Sequence, residues 1–263
     1  MAEGRKRFAL AFSERNARYD LHHVESTATK SGSEFRIRGE KIAVLDLPSA
    51  DSIVVAARLS GGVRDADGIG LFLVDATASG LSTKTYSMMD GSRAGELTFD
   101  NTPAQLLVDG ELGLEALSAA VEDGIIARSA QATGAMAASF EQTLEYVKTR
   151  KQFGVPIGSF QTLQHRLVDM WMVVRECQAM VMMSAQELTT NEPKERAMAA
   201  SATKSFVGKR ARQVAQEIVQ MHGGIGMTEE LPIGHYFRHL TLYSTLFGSA
   251  DYHLNRYAAL CRS

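Results

Sequence analysis

The stretch Tyr146-Val-Lys-Thr-Arg-Lys-Gln-Phe-Gly-Val-Pro-Ile-Gly-Ser-Phe-Gln-Thr-Leu-Gln-His-Arg-Leu167 decides the fold, because one long helical pattern stops in it and another begins. Arg150 and Lys151 fall where a last helical turn favours cations, and Gly154 follows where the chain must leave the helix. Upstream, Asp109 reads as an N-cap for a helix whose apolar residues Leu114, Leu117, Val121 and Ile125 recur at spacings of three and four. Met136, Phe140, Leu144 and Val147 continue that stripe to Arg150. Downstream, Phe160, Leu163, Leu167, Met170, Val174, Cys177 and Val181 make the seam of a helical bundle. The Met-rich end of this segment, with Met170, Met172, Met180, Met182 and Met183, reads as adaptable core. Asn191-Glu-Pro193 breaks the pattern, a third helix aligns Val207, Ala211, Val214, Ile218 and Met221, and a last helical region runs from about 233 to 260.

Residues 8 to about 108 follow another rule. Phe35 and Ile37 alternate with Arg36 and Arg38, which marks a half-buried strand; Gly39-Glu40-Lys41 then reads as a turn into Ile42–Leu45. Further strands are expected at residues 9–14, 52–58, 69–74, 81–86 and 95–99, punctuated by Ser60-Gly61-Gly62, Asp67-Gly68, Ala78-Ser79-Gly80 and Asp90-Gly91. Short strands without helical crossovers predict antiparallel pairing. The expected class is α+β: an antiparallel β sandwich or barrel-like domain over residues 1–109, then a C-terminal four-helix bundle over 110–263.

Composition narrows the function classes. A net charge of -2 in 263 residues gives no global pull toward nucleic acid or an anionic membrane. No apolar run reaches the ~18 residues of a membrane span, and Met1–Arg7 lacks the apolar stretch of a signal peptide, so a cytoplasmic location is expected. Cys177 and Cys261 form no CxxC and read as small buried hydrophobes. His235 and His239 lie one helical turn apart, yet no HExxH or His/Cys set occurs, so no metal site is expected. Gly223-Gly224-Ile225-Gly226 follows a helix and does not link a strand to one, which excludes a Rossmann turn. No GxSxG occurs, so there is no serine nucleophile elbow.

Two motifs carry the reading further. Arg150-Lys-Gln-Phe-Gly154, with Pro156–Gln161 and Leu163–Met170 after it, and then Gln220-Met-His-Gly-Gly-Ile-Gly-Met227, resemble the C-terminal bundle of the acyl-CoA dehydrogenase family. Ala11-Phe-Ser-Glu14 with Asp20 resembles that family's flavin-contacting strand and loop, and Gly39-Glu-Lys41, Gly91-Ser-Arg93 and Phe99-Asp-Asn101 resemble later strands of its β domain. The resemblance covers essentially the whole chain but begins partway into the family pattern, whose N-terminal helical domain has no counterpart here.

The resemblance implies FAD as cofactor and an acyl-CoA thioester as substrate. The family removes the α proton with a carboxylate while the β hydrogen leaves as hydride to the flavin, a step that needs held geometry and a polarised thioester carbonyl. Ser13, Arg150, Gln152, Phe153, Gln220, Gly223 and Gly224 are the implied cofactor contacts, those from Arg150 onward across a subunit interface. A homodimer, a tetramer or a heteromer with a related subunit is therefore implied, with an electron-transfer protein as acceptor and no nucleic acid or membrane insertion. Three departures stand out. Arg18-Tyr19 replaces the small Gly-Ser before Asp20; Ala43 and Leu45 replace the aromatic and hydroxyl residues usual beside the flavin ring; and the two positions where the family places its base are Phe247 and Gly124. Asp123, one residue away, is the candidate base. The expected function is FAD-dependent α,β-dehydrogenation of an acyl-CoA, with a non-catalytic subunit or fragment that completes a partner's FAD site as the alternative.

Overall fold

The computed structural model describes residues 3–189 and 192–262, so Asn191 of the expected helix break lies outside them. The chain divides into two compact units, Met1–Ala120 and Val121–Ser263.

The first unit is one sheet of β1 (Phe8–Ala11), β2 (Thr27–Ser31), β3 (Glu34–Leu45), β4 (Ser52–Arg58), β5 (Ile69–Asp75), β6 (Leu81–Ser87) and β7 (Arg93–Val108). The order is β1-β4-β2-β3-β7-β5; β5 pairs back onto β4 and makes the sheet barrel-like, while β6 hangs on β7. Ile37, Ile53, Val55, Phe72, Val74 and Leu97 fill its interior. Most pairs are antiparallel, but β1 and β2 meet β4 in parallel. Parallel neighbours need a long return path, and for β1 the β2–β3 hairpin and its loops supply it in place of a helix. Two local expectations change. Gly39-Glu40-Lys41 is no turn: β3 runs straight through it, with register shifts on either side. Gly39 has φ 136°, and a Cβ there would sit 2.5 Å from Ser26 Oγ, so the glycine marks a close strand crossing. Strand β2, Thr-Ala-Thr-Lys-Ser, was invisible in the pattern because its only buried residue is Ala28.

The second unit is helical. Helix α1 (Gly113–Thr149) contains the division between the units; α2 (Gln161–Glu187), α3 (Pro193–His222), α4 (Ile233–Tyr243) and α5 (Ala250–Leu260) follow. Its core joins Met136, Phe140 and Val147 of α1, Leu167, Met170, Val174 and Cys177 of α2, and Val207, Ala211, Val214, Ile218 and Met221 of α3, as their spacing requires. The last helical region is two helices. Helix α4 ends at Tyr243, Phe247 and Gly248 with positive φ redirect the turn that follows, and Ser249 Oγ then caps α5 by accepting the Tyr252 N–H at 3.2 Å. Two other readings also fail. Met172, Met182 and Met183 are exposed and only Met170 of that group is core, while Cys261 is exposed and unpaired with buried Cys177. The α2 stripe is narrower than its apolar content, so surplus methionines fall on the outer face. Among the described residues no helix is long and apolar enough to cross a membrane.

Candidate functional site

The basic end of α1 becomes a hairpin. Arg150 N–H donates to Tyr146 O at 2.8 Å, and the Arg150 carbonyl accepts from Ile157 N–H at 2.8 Å. Between them β8 (Lys151–Gln152) pairs with β9 (Val155–Pro156) around Phe153 (φ 54°) and Gly154 (φ 83°). Two successive positive φ values suit a two-residue hairpin, but the first position usually takes Asn or Asp. A phenylalanine held there is strained. Phe153 is also 92% exposed, with its ring edge-on to Phe160 at 6.2 Å between centroids.

The second motif arrives beside Tyr146, one helical turn before this hairpin. At the end of α3, Gly223 (φ 65°) donates its N–H to Gln220 O and Val219 O and turns the chain into a short 3-10 segment, Gly223–Met227. His222 stacks on Tyr146 at 4.3 Å, and Tyr146 Oη donates to His222 O at 3.4 Å. That stack joins the α3 end to α1 one turn before Arg150. His222 donates Nδ1–H to Ile218 O at 2.7 Å, and burial holds its pKa below the ordinary histidine value. Gln220, Gly223 and Gly224 are exposed, and a Cβ built on either glycine meets nothing within 4 Å. The cluster therefore offers an exposed guanidinium, an approachable backbone, an amide and an aromatic ring at one end of the bundle. These groups fit the pyrophosphate and adenosine end of FAD: an open Gly-Gly backbone and Arg150 suit the phosphates, and Phe153 suits a flat ring.

Phe247 and Gly124 come together. A Cβ on Gly124 would lie 3.4 Å from Phe247 Cζ, so the aromatic ring covers the helix face at Gly124. The adjacent carboxylates are engaged elsewhere. Glu122 is buried and accepts from Arg256 Nη2 at 2.8 Å; the side chain of Asp123 is 61% exposed and accepts from Arg196 Nη2 at 2.8 Å. Arg196 also reaches the Leu188 carbonyl at the end of α2. Among the described residues no group of three or more His, Cys, Asp or Glu able to hold an ion occurs.

In the first unit, Ser13 is half-buried, and its carbonyl accepts from Ile42 N–H at 2.9 Å. The loop it opens is tied down by Glu14, which accepts from Lys41 Nζ (2.6 Å), Glu25 N–H (2.6 Å) and Ser26 N–H (3.0 Å). Burial raises the Glu14 pKa, but the Lys41 charge and these hydrogen bonds outweigh it and hold the carboxyl below its ordinary value. Arg58 closes the same region by donating to the carbonyls of His22, Val63, Asp65 and Asp67. Tyr19 is about one-third exposed. Neither the Glu14–Lys41 pair nor Arg58 announces itself in sequence, because the pairing depends on which strands the barrel brings together.

Residues 9–102 match the model of the acyl-CoA dehydrogenase middle domain, and residues 112–260 match that of the acyl-CoA dehydrogenase C-terminal domain. Similar proteins include the 3-(aryl)acrylate reductase of Clostridium sporogenes, 28% identical over 95% of this chain and 67% of that protein. The mitochondrial isovaleryl-CoA dehydrogenase of Arabidopsis thaliana is 30% identical over 92% of this chain and 60% of its own length. The butyryl-CoA dehydrogenase structure from Megasphaera elsdenii superposes with a TM-score of 0.92 at 26% identity, over 99% of this chain and 69% of that one. The chain thus spans about two thirds of the length of the relatives it matches.

Proposed function

The chain belongs to the acyl-CoA dehydrogenase family, and from that premise we propose that it is a non-catalytic subunit that completes the FAD site of a related, base-bearing subunit. The observation that carries this reading is the Phe247 ring lying against Gly124, at the two positions where the family places its carboxylate. An aromatic ring cannot take a proton, and it fills the space a carboxylate would need. When bound, FAD supplies the hydride acceptor that no side chain provides. This chain's part is binding. Arg150 and the backbone at Gly223-Gly224 hold the pyrophosphate, Gln152 and Gln220 give amide contacts, and Phe153 stacks on a flat ring. Residues 1–109 form the flavin- and substrate-side domain with Ser13, and 110–263 form the bundle and its interface. The assembly dehydrogenates an acyl-CoA thioester in the cytoplasm and passes electrons to an acceptor protein.

A second reading, a self-sufficient dehydrogenase with Asp123 as base, is favoured by the exposure of that carboxylate one residue from Gly124. Absorption spectra separate the two. The purified chain is expected to show no flavin bleaching with butyryl-CoA. Co-expressed with a relative that carries Glu at the base position, it is expected to yield a flavin-loaded complex that loses FAD on Arg150→Ala. Bleaching by the chain alone, abolished by Asp123→Asn, would establish the second reading and overturn the first.

A further inference from the structure

Phe247 sits where a bulky side chain rarely does. Its φ of 57° is left-handed, Gly248 follows at φ 119°, and such backbone persists only when the surroundings over-determine it. Two buried cations-in-waiting supply that constraint. Lys204 on α3 is fully buried and donates from Nζ to Tyr243 O at 2.6 Å, fixing the start of the turn. His253 on α5 is 1% exposed and lies 2.9 Å, through Nε2, from Phe247 O, fixing its end.

The carbonyl can only accept, so Nε2 carries the proton and Nδ1 is left as an acceptor. Ser201 Oγ lies 3.4 Å from Nδ1 and takes a hydrogen bond from Arg256 Nη1 at 3.1 Å; Arg256 Nη2 donates to Glu122 at 2.8 Å. Each donor therefore points the same way along the chain, from Arg256 to Ser201 to His253 to the Phe247 carbonyl. Glu122 stands two residues before Gly124 on α1, so this path ends on the same helix that the Phe247 ring touches, though on another of its faces. Gly248 has no room for change, since a Cβ there would lie 2.6 Å from His253 Nε2.

We propose that His253 is a positioning residue: oriented through Ser201 and Arg256, it holds the backbone at 247 so that the side chain there stands over Gly124, with Lys204 fixing the other end of the turn. The consequence for chemistry rests on reading 247 as the base position. The positioning itself does not.

The test uses the full chain with 4-fluorophenylalanine placed at 247 and read by fluorine NMR. One narrow resonance is expected, which His253→Leu shifts beyond its linewidth and broadens, and which His253→Gln, keeping an N–H donor, returns toward the parent position. Ser201→Ala, a gentler change, is expected to move the same resonance in the same direction should His253→Leu not fold. An unmoved resonance in folded His253→Leu or Ser201→Ala protein overturns the proposal. A second arm adds Phe247→Glu in the flavin-loaded complex whose partner has its base Glu changed to Gln, so that bleaching by butyryl-CoA comes from this subunit's site alone; bleaching is expected, and His253→Leu on top slows it about a hundredfold, the scale of a 1 Å misplacement. No bleaching from Phe247→Glu, with the fluorine shifts as expected, would sink the base-position reading and leave the positioning role standing.

Discussion

Replacing Lys41 by Met asks how far one buried charge pair holds the loop that follows Ser13. Lys41 is fully buried and Glu14 is 4% exposed, with Nζ 2.6 Å from Oε1. At that distance and an effective dielectric near 20, the attraction is about 6 kcal/mol. Desolvating both ions costs several kcal/mol each, so the intact pair contributes little net stability. Removing one partner is different. Methionine fills the lysine stem but leaves the Glu14 carboxylate buried with only the Glu25 and Ser26 N–H groups, an imbalance that costs about 3–5 kcal/mol. For a unit the size of Met1–Ala120 this corresponds to a fall in melting temperature of roughly 12–20 °C. Lys41→Met with Glu14→Gln is expected to recover at least half of the loss, because no buried charge remains. The assay is a urea titration read by hydrogen-exchange mass spectrometry on peptides from residues 8–108, with bundle peptides as the internal control. The pH dependence has a fixed sign: Glu14 is held below its ordinary value of 4.5, so its contribution is present above that pH and is lost as the pH falls through the folded value. A single mutant within about 1 kcal/mol of the parent, or a double mutant no better than the sum of the singles, would refute the reasoning.

Two further effects lie in the bundle. Burial pushes His253 down to about 4 from 6.5, so the unfolded chain binds the extra proton first and stability falls as the pH drops from 6.5 toward 4. That shift is worth about 3 kcal/mol, and His253→Gln is expected to flatten melting temperature against pH between 5 and 6.5, leaving the smaller slope from His222, which burial shifts the same way; an unchanged slope would show that His253 is not the titrating group. Ser129 Oγ and Tyr243 Oη lie 2.7 Å apart in the core, and Ser129 also donates to Ile125 O. Tyr243→Phe is expected to cost about 1 kcal/mol in urea unfolding and Ser129→Ala about 1–3, since the latter strands a buried phenol; equal costs would mean that the phenol finds another partner.

Much of the fold was legible because burial is periodic. The α3 residues Val207, Ala211, Val214, Ile218 and Met221 face the core as spacing demands, and strands β4 and β5 are continuous apolar runs. Strand β2 and the full length of β7 were not, because Thr27–Ser31 and Asp100–Pro103 are polar and their pairing depends on distant neighbours. The two family motifs were readable as motifs. That they lie together was not, since the Tyr146–His222 stack joins positions far apart in sequence.

What the sequence determined by itself is the class of fold, the helix seams, the family motifs and the identity of Phe247 and Gly124, all set by local composition and spacing. What only the tertiary structure decided is that Phe247 and Gly124 share one place, and that Glu14 meets Lys41 and His253 meets the Phe247 carbonyl. A helix or strand forms from residues three, four or two apart, and its pattern is written in the chain. A buried contact forms between whichever surfaces the packed elements present, and that is fixed only when every element has found its neighbours.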